Sequence, residues 1–273
     1  MGFIASRKLR GLFGAAAIAA TSMVLGVTNA AASTNATCAG GSVAAGTYQS
    51  LTVTGMCQVL SGDVTVTRNI TITAGGGLNA AFFGSNLNVG RNVIILPGAV
   101  GIVLGCEPFA FPCFNDPNRN TGGTPGMQTN DVVGGNFVSE GAALVLVHHN
   151  TIWGEVAQTG GGGGLTCAPL FENGPPPYTT YEDNTIHGDV TVADLHTCWS
   201  GIFRNTVSGS VNWNDNVTFD PDGNEVSGNI VAGNLNCFDN KPAAQFGDSA
   251  GVPNTVGGAT RGQCRNLAGN SVG

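Results

Sequence analysis

NTIWGEV (150–156) returns as NTIHGDV (184–190) and again as NTVSGSV (205–211). Aligned on their asparagines, NDVVGGN (130–136) and NEVSGNI (224–230) extend the series, with the last position broken in the first copy. The shared pattern is Asn-x-[Ile/Val]-x-Gly-x-[Val/Ile]. Spacings near twenty, with one longer gap, mark a repeat architecture. An earlier pair of phrases, DVTVTRNITITAGG and NLNVGRNVIILPG, repeats Arg68-Asn69 as Arg91-Asn92. Short alternating strands and glycine corners at this period predict an all-β, parallel β-helix. Its coils stack at about 4.8 Å, with alternate side chains pointing inward.

On that reading Ile152, Val156, Ile186, Val190, Val207, Val211, Val226 and Ile230 are core. Gly154, Gly188, Gly209 and Gly228 permit corners where a side chain would clash or where φ is positive. Asn150, Asn184, Asn205 and Asn224 stack as an amide ladder, because a primary amide both donates and accepts. The competing explanations are exposed turn asparagines and a β-sandwich, which has no need of one phrase every twenty residues.

The ends bound the rest. Arg7, Lys8 and Arg10, an apolar run over 11–27 and the small residues to Ala32 have the form of a secretory signal peptide over 1–32. The exported chain keeps seven basic against seventeen acidic residues, a net charge of −10. That excludes nucleic acid and an anionic membrane as natural partners. After cleavage no segment is apolar enough to span a bilayer. The expected location is extracellular, free or associated with the cell wall. The oligomeric state is open.

Eight cysteines, Cys38, Cys57, Cys106, Cys113, Cys167, Cys198, Cys237 and Cys264, all follow the signal, as disulfides in an oxidising compartment would. Pairing of nearest neighbours closes four local loops. Zinc is disfavoured by the lack of any CxxC pair, and no metal or other cofactor is expected. The solenoid is expected over 33–240, with an insertion at 160–177. A loop-rich cap tied by Cys237 and Cys264 follows over 241–273.

The coil period together with the asparagine phrase resembles the right-handed parallel β-helix proteins of the pectate-lyase-like superfamily. The tail between Cys237 and Cys264 is similar to secreted actinobacterial proteins of unassigned function. The resemblance implies the fold and no particular activity. Polygalacturonases of this fold carry an aspartate cluster that has no counterpart here.

Stacking brings the variable letters of the phrase together. The position after the corner glycine puts Glu155 beside Asp189, and the position before it puts Trp153 beside His187. The position before the asparagine forms a His149, Asp183, Arg204 column. Two carboxylates at a controlled separation are the equipment of glycoside hydrolysis, and a tryptophan offers a platform for a sugar ring. Pectate lyases of this fold use an arginine or lysine base, so the resemblance implies Arg204, the one arginine of the regular coils after 130, as a candidate lyase base. The alternative function is therefore a polysaccharide lyase or glycoside hydrolase. In it Glu155 and Asp189 act as acid and base, His187 assists and Trp153 binds substrate. Since any solenoid places polar residues outward, the leading expectation is non-catalytic. It is a secreted module presenting a polar face, with a polysaccharide as partner and Trp153, Arg204, His149 and Asp183 as contacts.

Overall fold

The computed structural model describes residues 34–119, 127–172, 174–248 and 251–269. The expected signal peptide lies outside them. The described chain is a parallel β-helix. Each coil contributes a short strand to a ten-stranded first sheet, an eight-stranded second sheet and a nine-stranded third sheet. Pairing is parallel and in register, with Val156 beside Val190, Val190 beside Val211 and Val211 beside Leu235. Alternation places one side of every strand in a core that runs the length of the solenoid and includes Ile152, Ile186, Val207 and Trp213.

The chain turns from the second sheet into the third through one residue with positive φ, followed by a buried asparagine. His149, Asp183 and Arg204 hold φ of 57°, 55° and 51°. Outside glycine, asparagine and aspartate this conformation is uncommon. The side chain that follows explains why it persists. Asn184 Oδ1 accepts from Asn150 N–H at 2.9 Å and from Asn150 Nδ2 at 3.1 Å. Asn184 in turn donates N–H and Nδ2 to Asn205 Oδ1 at 3.0 and 2.9 Å. Asn205 does the same to Asn229, and Asn229 to Asn254. The second Nδ2 hydrogen reaches a strand carbonyl, such as Val147 O for Asn184. The side-chain polar atoms of Asn184, Asn205 and Asn229 are thereby satisfied inside the solenoid, where an orphan would cost about 1–3 kcal/mol.

The expected register fails at both ends of the repeat. Asn224 is not a rung: its Oδ1 accepts from Ser200 Oγ and Trp213 Nε1, and it holds φ of 59°. The rung is Asn229, so the repeated phrase is NIVAGNL (229–235) and the next is NTVGGAT (254–260). Ile230, expected in the core, is 55% exposed, whereas Val231 is 1% exposed. Gly228 is accordingly not a corner glycine but the positive-φ residue before the rung, with φ of 67°. At the other end Asp131, not Asn130, pairs with Asn150. The phrase there is DVVGGNF (131–137), which restores the missing apolar last position with buried Phe137.

Beyond residue 240 the chain adds more than a loop-rich cap. Strands Thr255–Val256 and Thr260–Gly262 extend the third and first sheets, and a 3-10 turn, Gln263–Asn266, follows. The disulfides pair nearest neighbours: Cys38–Cys57, Cys106–Cys113, Cys167–Cys198 and Cys237–Cys264. The last ties the tail to the final coils.

Asp131 stands where other coils place an amide. Its Oδ1 accepts from Leu87 N–H at 2.7 Å, while Oδ2 and Asn150 Oδ1 of the next coil are both buried without a hydrogen-bond partner among the described residues. Burial pushes its carboxyl up to about 8, with nearby Asp63 adding to the rise and the Leu87 N–H, the Thr129 hydroxyl and the Gly105 N–H opposing it. A protonated carboxyl supplies the donor that this rung otherwise lacks. The folded state therefore holds a proton that the unfolded chain releases from about pH 4 upward. Stability falls as pH rises from there to about 8. Asp131→Asn completes the ladder and removes this slope, so the urea midpoint of the variant should exceed that of the parent at pH 8 by more than at pH 5. Asn205→Ala, which breaks the middle of the ladder, should cost roughly 3 kcal/mol in urea unfolding, while Ile230→Ala should cost under about 0.5 kcal/mol.

Candidate functional site

The corner between the third and first sheets carries the variable letters. Trp153 and His187 stack there with ring centroids 4.2 Å apart and planes 6° from parallel. Both are exposed, Trp153 by 57%. The next coil on the other side of Trp153 has Gly134 at the equivalent position, which sets no side chain of its own against the indole. Glu155 and Asp189 follow at adjacent rungs.

A second side-chain column at this corner explains what those rungs do. Asn92 N–H donates to Asn69 Oδ1 at 3.1 Å, Asn136 N–H to Asn92 Oδ1 at 2.8 Å and Glu155 N–H to Asn136 Oδ1 at 3.2 Å. Ser210 N–H donates to Asp189 Oδ1 at 2.7 Å, Asn234 N–H to Ser210 Oγ at 3.0 Å and Ala259 N–H to Asn234 Oδ1 at 2.9 Å. The acceptor here belongs to the preceding coil, opposite in sense to the buried ladder. Asp189 thus serves as a backbone cap equivalent to an asparagine or serine, and Glu155 Oε1 receives Asn136 Nδ2 at 3.3 Å. The corner glycines follow from the same geometry. A Cβ on Gly154 would lie 2.0 Å from Asn136 Oδ1, and one on Gly209 would lie 2.2 Å from Asp189 Oδ1.

The His149, Asp183, Arg204 column sits at the other edge of the third sheet. Arg204 Nε donates to Asp183 Oδ1 at 2.8 Å, and its Nη2 reaches Asp183 Oδ2 at 2.6 Å and Glu182 Oε2 at 3.0 Å. His149 Nδ1 contacts Thr129 O at 2.9 Å rather than Asp183. The column therefore divides into an ion-paired cluster and a histidine anchored to the preceding coil.

Behind Arg204 lies a polar group that the sequence did not single out as a site. His148 is buried on the outer side of the second sheet, under Phe111, whose ring stacks on it at 4.0 Å. Its Nε2 lies 2.8 Å from Thr180 Oγ1, and its Nδ1 stands 3.9 Å from Glu182 Oε2, beyond hydrogen-bond reach. Burial and, secondarily, Arg204 push the imidazole down to about 3, so it is neutral. Burial pushes Glu182 up to about 7, against the opposing pull of Arg204. The legible signal was the unbroken apolar run before His148, since a strand covered on both faces loses its alternation.

That cover comes from two insertions. Residues 105–130 hold the Cys106–Cys113 disulfide, and the 160–177 insertion is pinned to the second sheet's side by Cys167–Cys198. The second insertion leaves from the far end of strand Val156–Thr159 and folds over the second sheet, so it does not wall the Glu155 and Asp189 corner. Outward-facing Val103, Leu144 and Leu146 form a separate apolar cluster against Phe111, Leu170 and Tyr178. A groove of about 640 Å³ remains between sheet and insertions.

Among the described residues, no group of three or more His, Cys, Asp or Glu is placed to hold a metal ion, and no helix is long and apolar enough to cross a membrane. Compared with protein-family models, with curated proteins and with solved structures, the chain matches none.

Arg204→Met leaves Glu182 buried without its cation. Below pH 7 the carboxyl is largely neutral and the loss is small. Above it the folded state must hold an uncompensated charge or a proton that the unfolded chain gives up. The destabilisation read from urea midpoints should therefore widen from pH 5 to pH 8, reaching about 1 kcal/mol for this half-exposed guanidinium.

Proposed function

We propose that this protein is a secreted, non-catalytic module that binds an extracellular polysaccharide at the Trp153–His187 corner. The observation that carries this reading is the use made of Asp189: its carboxylate caps the Ser210 N–H as one rung of a structural column. A side chain engaged in this way, in a column otherwise served by asparagine and serine, is a poor acid or base. Trp153, by contrast, has no intramolecular need to be exposed, and its free face is of the kind that stacks on a sugar ring. Secretion is supported by the basic, apolar and small-residue order of 1–32 and by four disulfides, which suit an oxidising compartment. We extend the proposal to kinship with the pectate-lyase-like superfamily, on the coil period and the asparagine phrase.

The test is retention of the purified mature protein on insoluble plant and bacterial cell-wall polysaccharides, with soluble reducing ends and unsaturated products followed in parallel. Retention that Trp153→Ala lowers at least tenfold, without product release, is the expected result. Product release that is lost in Asp189→Asn, a change that preserves the cap oxygen, would establish the hydrolase or lyase instead.

A further inference from the structure

The outer face of the second sheet departs from what a solenoid requires. Outward positions on the other sheets are solvent-exposed or half-buried, and many are polar, as at Thr191 and Asn212 on the first sheet. On the second sheet Val103, Leu144 and Leu146 point outward and are nevertheless only 8%, 6% and 7% exposed. The insertions cover them without closing on them. A void the size of a methyl group is a packing defect; about 640 Å³ lies in the range of ligand sites. The floor has no side chain of its own at two stacked positions, Gly77 and Gly101, and the flexible Met56 thioether lies over the first. At Gly101 a side chain is impossible, because its Cβ would lie 1.7 Å from Leu144 O. The walls are aromatic: Phe111, Phe114 and Tyr178 from the insertions and their flanks, with Phe171 opposite.

Among the described residues, one charged side chain lines the groove. Arg119 is exposed, its guanidinium carbon stands 5.0 Å from the Phe114 ring centroid, and Nη1 donates to Phe114 O at 3.3 Å. Among the described residues no carboxylate pairs with it. In a chain with seventeen acidic residues, a cation held against an aromatic wall with no internal anion marks where a ligand's negative charge would sit. The remaining polar side chains of the lining, Gln58, Asn79 and Tyr178, are uncharged.

We propose that this groove is a binding site for a free long-chain carboxylate, with its alkyl tail on the Gly77–Gly101 floor and its head group at Arg119. The apolar and aromatic walls recognise a methylene chain, and the guanidinium selects an acid over an alcohol. The site lies on a different sheet from the Trp153 corner and does not depend on polysaccharide binding.

The test is displacement of a fluorescent fatty acid from the disulfide-intact protein by saturated carboxylates from eight to sixteen carbons and by the matching alcohols. Affinity should rise about fourfold per methylene, the factor that corresponds to burial of one CH₂, until the groove is filled. Each acid should bind at least tenfold more tightly than its alcohol. Arg119→Gln, on the rim and clear of the core, should abolish that preference while leaving the chain-length slope intact. Gly77→Leu, which pushes against the mobile end of Met56, should block the tail; far-UV circular dichroism checks that the variant is folded. Trp153→Ala should leave all of these values unchanged. No displacement at any chain length, affinity independent of chain length, or an acid preference that survives in Arg119→Gln would each overturn the proposal.

Discussion

Stacked amides hold the solenoid to one register. A parallel β-helix buries a backbone turn at the same place in every coil, and each turn leaves an N–H and a carbonyl that strand pairing does not reach. Asn150, Asn184, Asn205, Asn229 and Asn254 meet that demand with one chemical group, repeated. Slipping a coil by one residue would bury the wrong side chains and leave several polar atoms without partners at once. The positive-φ residue before Asn150, Asn184, Asn205 and Asn229 and the apolar residue two places after each rung are consequences of holding the amide in line. The corner glycines answer to the second column, where a side-chain oxygen of the preceding coil fills the space that a Cβ would need.

The same demand limits what the variable letters can mean. At the corner after the glycine, asparagine, serine and aspartate are interchangeable caps because each offers one oxygen to the next N–H. Asp189 is therefore explained without reference to a substrate, whereas the exposed ring of Trp153 is not. On the second sheet the solenoid rule is broken in the other direction. Apolar side chains face outward, and two disulfide-pinned insertions are needed to cover them. The buried His148 and half-buried Glu182 belong to the edge of that covered region, where low polarity keeps the imidazole neutral and raises the carboxyl.

How much of this was legible varies with how local the determinant is. The central three phrases state their own alignment. NEVSGNI does not, because Asn224-x-Val-x-Gly and Asn229-x-Val-x-Gly overlap five residues apart and both satisfy the pattern. Only the pairing of Val207 with Val231 chooses between them. Asp131 hid its role for a different reason: an aspartate reads as a surface residue until burial shows that its carboxyl replaces an amide. The groove left only one trace, the unbroken apolar run that ends at Val147, and its walls come from segments with no periodicity.

The sequence by itself determined the coil, since a period near twenty with asparagine, aliphatic and glycine at constant offsets has one economical packing. It also determined which cysteines could close local loops. Only the tertiary structure decided which asparagine of two is the rung, which carboxylates are caps and where the insertions fall. Those depend on what lies one coil away, at about 4.8 Å in space but about twenty residues along the chain. A repeat specifies that distance in general, and stacking assigns it to particular side chains.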